Sequence, residues 1–198
     1  MTERELYGVI TAAYYQAGAE DHWLAFMSGA KGYQTRDARS SDYAFERGHF
    51  AKVDGGACYK GYQVDLCRHI GLAPLEDSQR LAMLASKRAV AAALGVIGAG
   101  VPISALGSAA DAVLRQAGFT YYMNSVGHGV GMDMHEPPWL ERKNDAPVHP
   151  GMVLSVEIGV VNPDRWDDGS CTFEDNIVVE ENGCRVLSDK FSEELYEV

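Results

Sequence analysis

The chain repeats itself at an offset of 100 residues. Residues 2–18, TERELYGVITAAYYQAG, align with residues 102–118, PISALGSAADAVLRQAG. Leu6/Leu106, Ala12/Ala112, Gln16/Gln116, Ala17/Ala117 and Gly18/Gly118 are identical. Each copy reads as an amphipathic helix with an N-terminal start signal, an apolar face and a glycine stop. In the first copy Thr2 and Glu5 have the spacing of a capping box. Each copy is followed at some distance by an acid-bearing hairpin, so a pseudo-twofold axis would bring two hairpins together with their acids converging. The repeat is incomplete. The second half opens with a further helix over 78–97, SQRLAMLASKRAVAAALGVI, built of strong helix formers, whereas only Met1 precedes Thr2. The expectation is either a naturally minimal chain or one truncated at an internal methionine. In the truncated case an apolar stripe of the first helix is left for a partner or a second copy to cover.

The acids come in two pairs. Residues 49–65, HFAKVDGGACYKGYQVD, read as two short strands around a turn. A turn centred between Tyr59 and Lys60 sets Asp54 opposite Asp65. Facing carboxylates about 5 Å apart repel, which leaves two readings: a pair of solvated acids on a wet face, or the cradle of a cation. The second pair lies in residues 152–160, MVLSVEIGV, and 171–179, CTFEDNIVV, two apolar, β-branched runs joined by the turn-forming loop 162–170. A loop centred between Arg165 and Trp166 sets Glu157 opposite Glu174. Each glutamate interrupts a hydrophobic strand, and a buried, unpaired carboxylate is costly, so this pair requires a metal or shared protons.

Residues 127–139, GHGVGMDMHEPPW, add two histidines seven positions apart among glycines. Four carboxylates balance two divalent cations, with neutral His128 as a fifth protein ligand. Oxygen-rich ligation with one imidazole suits manganese, cobalt, zinc or ferrous iron better than calcium. Two such cations about 3.5–4 Å apart can share a water, lower its pKa and stabilise the oxyanion formed when it attacks a carbonyl. The expected chemistry is hydrolysis of a C–N bond.

In order, the two aspartates of VDGGACYKGYQVDLCR, then HGVGMDMHEPP, SVEIG and FEDN, resemble the ligand set of the creatinase/prolidase/methionine-aminopeptidase family of metallohydrolases, over residues 2–188. The HEPP ending is similar to that of the Xaa-Pro peptidase (prolidase and aminopeptidase P) branch. The resemblance implies an α+β pita-bread fold with an internal pseudo-twofold repeat, in one catalytic domain over 1–198 without the N-terminal domain of larger relatives. It implies that Asp54 chelates one metal, that His128 with Glu157 serves the other, and that Asp65 and Glu174 bridge. It gives His128 and His135 the catalytic roles, with His135 reaching the substrate and its developing oxyanion. Two departures stand out. Glu157-Ile158-Gly159 replaces Glu-Pro-Gly, which is expected to alter only a strand-end turn. Gly48-His49 replaces Gly-Asp, and the run before it lacks the family's substrate-side histidine. Arg36 or Asp37 falls near that place, either as a solvated charged loop or, for Arg36, as a bidentate contact to a substrate carboxylate. Ordinary Xaa-Pro specificity is thereby open. A creatinase- or ectoine-hydrolase-like amidohydrolase and a non-catalytic peptide-binding pseudo-peptidase are the alternatives, with a lyase variant further back.

Composition agrees with a small-substrate enzyme. At 198 residues and 46% hydrophobic, the chain can bury a sizeable core. A net charge of −11 argues against nucleic-acid and anionic-membrane partners. The expected substrate is a small peptide or an amino-acid derivative, and the expected assembly a homodimer. Cys58, Cys67, Cys171 and Cys184 show no close-spaced zinc or redox pattern and fit free thiols in a reducing cytoplasm. Residues 89–101 form the longest apolar run and are too short to span a membrane.

Overall fold

The structure is a computed structural model, described here for residues 1–29, 40–121, 123–161, 171–189 and 196–198. Helix α1 (Glu3–Gln16) begins at the expected capping box: the Thr2 hydroxyl accepts from the Glu5 N–H at 3.2 Å, and the Glu5 carboxylate accepts from the Thr2 N–H at 2.8 Å. Strand β1 (Asp21–Ser28) pairs antiparallel with β2 (Phe50–Tyr59), which turns into β3 (Tyr62–Gln63) and β4 (Leu66–Gly71). Helices α2 (Asp77–Val96) and α3 (Ile103–Ala117) follow, and α3 ends at Gly118, whose φ of 79° is the left-handed conformation of a glycine stop.

The second half continues with β5 (Thr120–Tyr121), β6 (Ser125–Gly129), β7 (Glu136–Glu141), β8 (Val153–Val161), β9 (Cys171–Glu180) and β10 (Gly183–Val186), and β11 (Tyr196–Glu197) returns to pair parallel with β4. Among the described residues, one sheet has the order β1-β2-β4-β11 with β3 on β2. The other has the order β10-β9-β8-β6-β7 with β5 on β8. The sheets meet where β4 lies against β9.

The core lies under the second sheet. Ala82, Ala85, Ala89 and Ala93 recur at helical spacing along one face of α2. Their small side chains let the helix close on Leu154, Val156, Ile158, Ile177 and Val179 of β8 and β9, with Leu106, Ala110 and Leu114 of α3 alongside. The two repeat helices are covered unequally. Leu106 is fully buried, while its counterpart Leu6 is half-buried, Val9 is 58% exposed and Glu3 is the one fully buried residue of α1. The four cysteines are free. Among the described residues no helix is long and apolar enough to cross a membrane.

One local expectation fails here. Glu157-Ile158-Gly159 is no strand-end turn: β8 runs on to Val161 and Ile158 is fully buried in the core. A proline would interrupt a central ladder at this point, whereas a β-branched residue fills it.

Candidate metal centre

The first acid pair reaches the site by a register other than the expected one. The turn is at Lys60-Gly61, both with positive φ (53° and 79°), so the hairpin aligns Cys58 with Gln63 and Asp54 with Cys67. Asp54 and Asp65 therefore do not face each other. The shift is two residues, which preserves the face of the strand, and Asp65 lies diagonally from Asp54 just before β4 begins. Gly56 permits this crossing: a Cβ there would sit 1.5 Å from the Val64 carbonyl oxygen.

The second pair is aligned as expected, Glu157 directly opposite Glu174 across β8 and β9. His128 enters from β6, pinned between Ser155 of β8 and Trp139 of β7. Gly127, at φ 138°, makes that approach possible, since a Cβ there would lie 2.0 Å from the Ser155 carbonyl oxygen. The His128 Nδ1 lies 2.9 Å from the Gly129 carbonyl. A carbonyl only accepts, so Nδ1 carries the proton and Nε2 presents its lone pair toward Asp65 and Glu174, at 3.6 and 3.9 Å.

Three sets of donor atoms gather, each within 4.8 Å: Asp54, Asp65 and Glu174; His128, Glu157 and Glu174; and Asp65, His128 and His135. Glu174 belongs to both of the first two sets, and Asp65 links Asp54 to the histidines. Asp65, Glu174 and His128 are 2%, 1% and 4% exposed. Asp65 Oδ1, Glu174 Oε2 and His128 Nε2 are buried without a hydrogen-bond partner among the described residues. Three orphaned donors aimed into one cluster of oxygens and an imidazole fit divalent cations. The electrostatics agree. Burial first, then the neighbouring carboxylates, pushes Asp65 up to about 8, Glu157 up to about 7 and Glu174 well above the usual range. Burial pushes His128 down and keeps it neutral. His135 is half-exposed, with Nε2 3.2 Å from Asp65 Oδ2 and its ring nearly perpendicular to that of His128. Arg36, and Asp37 beside it, lie outside the described residues.

Several groups that hold this arrangement escaped the reading of acids and histidines. The Asn176 amide donates to the Asp65 carbonyl at 2.6 Å and to the Ser155 hydroxyl at 3.0 Å, and its oxygen accepts from the Asp65 N–H at 3.2 Å. Ser155 in turn donates to Glu174 at 2.6 Å. Arg68 donates to the Glu174 carbonyl and pairs with Asp175 at 2.7 Å. Lys52 pairs with Asp54 at 2.8 Å. A polar residue at an inward position of an apolar strand, as at Lys52 and Asn176, is the signal that could have found them.

Fold and site together define a two-sheet architecture with a buried cluster of carboxylates and imidazoles between its hairpins, suited to divalent cations. The model of metallopeptidase family M24 matches residues 1–181, and the chain belongs to that family. It is 32% identical to the Xaa-Pro dipeptidase of Pyrococcus furiosus over 154 residues, 75% of this chain and 42% of that protein. It is 33% identical to the probable dipeptidase PepE of Mycobacterium tuberculosis over 188 residues, 92% of this chain and 48% of the relative. The crystal structure of dipeptidase PepE from Mycobacterium ulcerans superposes with a TM-score of 0.91 at 29% identity, covering 100% of this chain and 53% of that one. The fold is thus the pita-bread fold of prolidase and aminopeptidase P. The chain spans about half the length of the curated relatives it matches.

Proposed function

We propose that this chain carries a two-cation hydrolase centre that cleaves the C–N bond of a small peptide, in the manner of an Xaa-Pro dipeptidase. The observation that carries this reading is the orientation of His128, whose Nδ1–H is spent on the Gly129 carbonyl while Nε2, without a hydrogen-bond partner among the described residues, points at Asp65 and Glu174. Asp54, Asp65 and Glu174 would hold one cation, and His128, Glu157 and Glu174 the other, with manganese, cobalt, zinc and iron all compatible with these donors. When bound, divalent cations supply Lewis acidity, which lowers the pKa of water and polarises a carbonyl. His135 is half-exposed beside the cluster, where it can donate a hydrogen bond to the oxyanion developing on the scissile carbonyl. His128 is held neutral by burial and fixed in one tautomer, so it binds and orients through Nε2 and takes up no second proton. Free thiols fit a reducing cytoplasm, and the exposed apolar residues of α1 fit a homodimer.

The test is release of the C-terminal residue from an Xaa-Pro dipeptide by manganese-loaded protein. His135→Ala should keep the metal content and lose roughly 10²–10⁴ of turnover, whereas His128→Ala should lose metal and activity together. Equal metal loss in both variants would reverse the assignment, and no cleavage of any Xaa-Pro dipeptide by fully loaded protein would overturn the activity.

A further inference from the structure

Two half-exposed rings stand against the buried ring of His128. One is His135. The other is Trp139 of β7, opposite His128 in the ladder, with ring centroids 6.4 Å apart and planes tilted by 54°. Directly opposed residues share a face of the sheet and hold their Cβ atoms about 5 Å apart, so Trp139 lies on the face that carries the acid cluster. The local sequence puts it there. Leu140, one position on, is fully buried in the core, and strand alternation turns Trp139 to the open side, where it is 46% exposed. β7 ends its sheet among the described residues, and Pro137 and Pro138 carry no N–H with which to extend it. The Asn144 side-chain amide donates to the Trp139 carbonyl at 3.2 Å and holds the backbone at that edge. The indole thus leaves half its surface open beside His128, where a ligand seated over the cluster would cover it.

We propose that Trp139 is a specificity-determining residue: its indole is the apolar wall against which the side chain of the substrate's first residue packs, so that the site selects dipeptides with an apolar or aromatic residue before the scissile bond. The proposal rests on the dipeptidase reading above. In that reading the attacked carbonyl belongs to the first residue and is held at the cluster and at His135. The side chain on its α-carbon is then within reach of Trp139, which stands one strand spacing, about 4.8 Å, from His128. A phenylalanyl or leucyl side chain that covers the open part of an indole takes apolar surface of both out of water, worth about tenfold or more in affinity. A glycyl residue covers nothing, and an acidic side chain would lose its water against a ring that offers it no charge.

The experiment measures kcat and KM of manganese-loaded protein for Phe-Pro, Leu-Pro, Gly-Pro and Asp-Pro. Wild type should favour Phe-Pro and Leu-Pro over Gly-Pro by about tenfold or more in kcat/KM, with Asp-Pro lowest. Trp139→Ala should bring the ratio of Phe-Pro to Gly-Pro close to one, chiefly by raising KM for Phe-Pro, and Trp139→Phe should restore most of the ratio. Wild type without the preference overturns the proposal without recourse to any variant. So does Trp139→Ala protein with wild-type circular dichroism and manganese content that keeps the ratio, because a tryptophan that only supports the fold affects both substrates alike. Wild type that cleaves none of the four would instead overturn the activity. Calorimetric titration of the same protein with Phe-Pro and Gly-Pro then decides the wall: tighter binding of Phe-Pro supports it, and equal affinities overturn it.

Discussion

Asp65, Glu157 and Glu174 sit where burial and mutual repulsion favour their protonated forms, with Asp65 moved from 3.8 to about 8 and Glu157 from 4.5 to about 7. The sign of the consequence follows from proton counting. Between about pH 4 and about pH 8 the folded, metal-free protein holds protons that the unfolded chain has released, so its stability falls as pH rises through that window. These carboxyls cost least near the acid end and most near the alkaline end. Divalent cations bound at the cluster would replace the protons and remove the cost. Denaturation of chelator-treated protein should show stability dropping across the window, and saturating manganese should flatten the drop. Stability that rises over the same range without metal would mean that these acids are solvated and the cluster open.

At the level of elements, two hairpins from different halves are tied by one side chain. Asn176 on β9 bonds both the N–H and the carbonyl of Asp65 and also the Ser155 hydroxyl. Asn176→Ala leaves a buried amide and a buried carbonyl unpaired and should cost about 2–4 kcal/mol in urea denaturation. A loss below about 0.5 kcal/mol would show the hairpins held together by other contacts. The β8–β9 register was legible because two apolar strands with a glutamate at each centre admit only one alignment that buries both faces. The β2–β4 register was misread by two residues. Spacing alone does not reveal that Lys60 accepts a positive φ, nor that Gly56 lets the Val64 backbone cross at van der Waals contact. The convergence survived because a shift of two keeps the face. Lys52 and Asn176 went unnoticed because pairing rules weigh like charges, and neither an ammonium nor an amide enters them. The start of α1 was readable outright, since a capping box is local chemistry.

Across the whole molecule, the pseudo-repeat brings acids from both halves to one point while covering its two helices unequally. On α1, Val9 and Tyr15 are 58% and 49% exposed, whereas Leu106 and Leu114 of α3 are at most 1% exposed. Roughly a few hundred Å² of apolar surface at about 25 cal/mol per Å² amounts to several kcal/mol, enough to drive self-association. Sedimentation should find a dimer that Val9→Asp converts to monomer, and a wild-type monomer at micromolar concentration would contradict this. The central claim is that Asp54 and Asp65 from one half and His128, Glu157 and Glu174 from the other form a single metal centre. Anomalous scattering from crystals grown with manganese tests it most directly. The account predicts anomalous peaks within the cluster, each about 2.0–2.3 Å from donor atoms of these five side chains. Manganese located elsewhere, with any of the five side chains turned to bulk solvent, would contradict it.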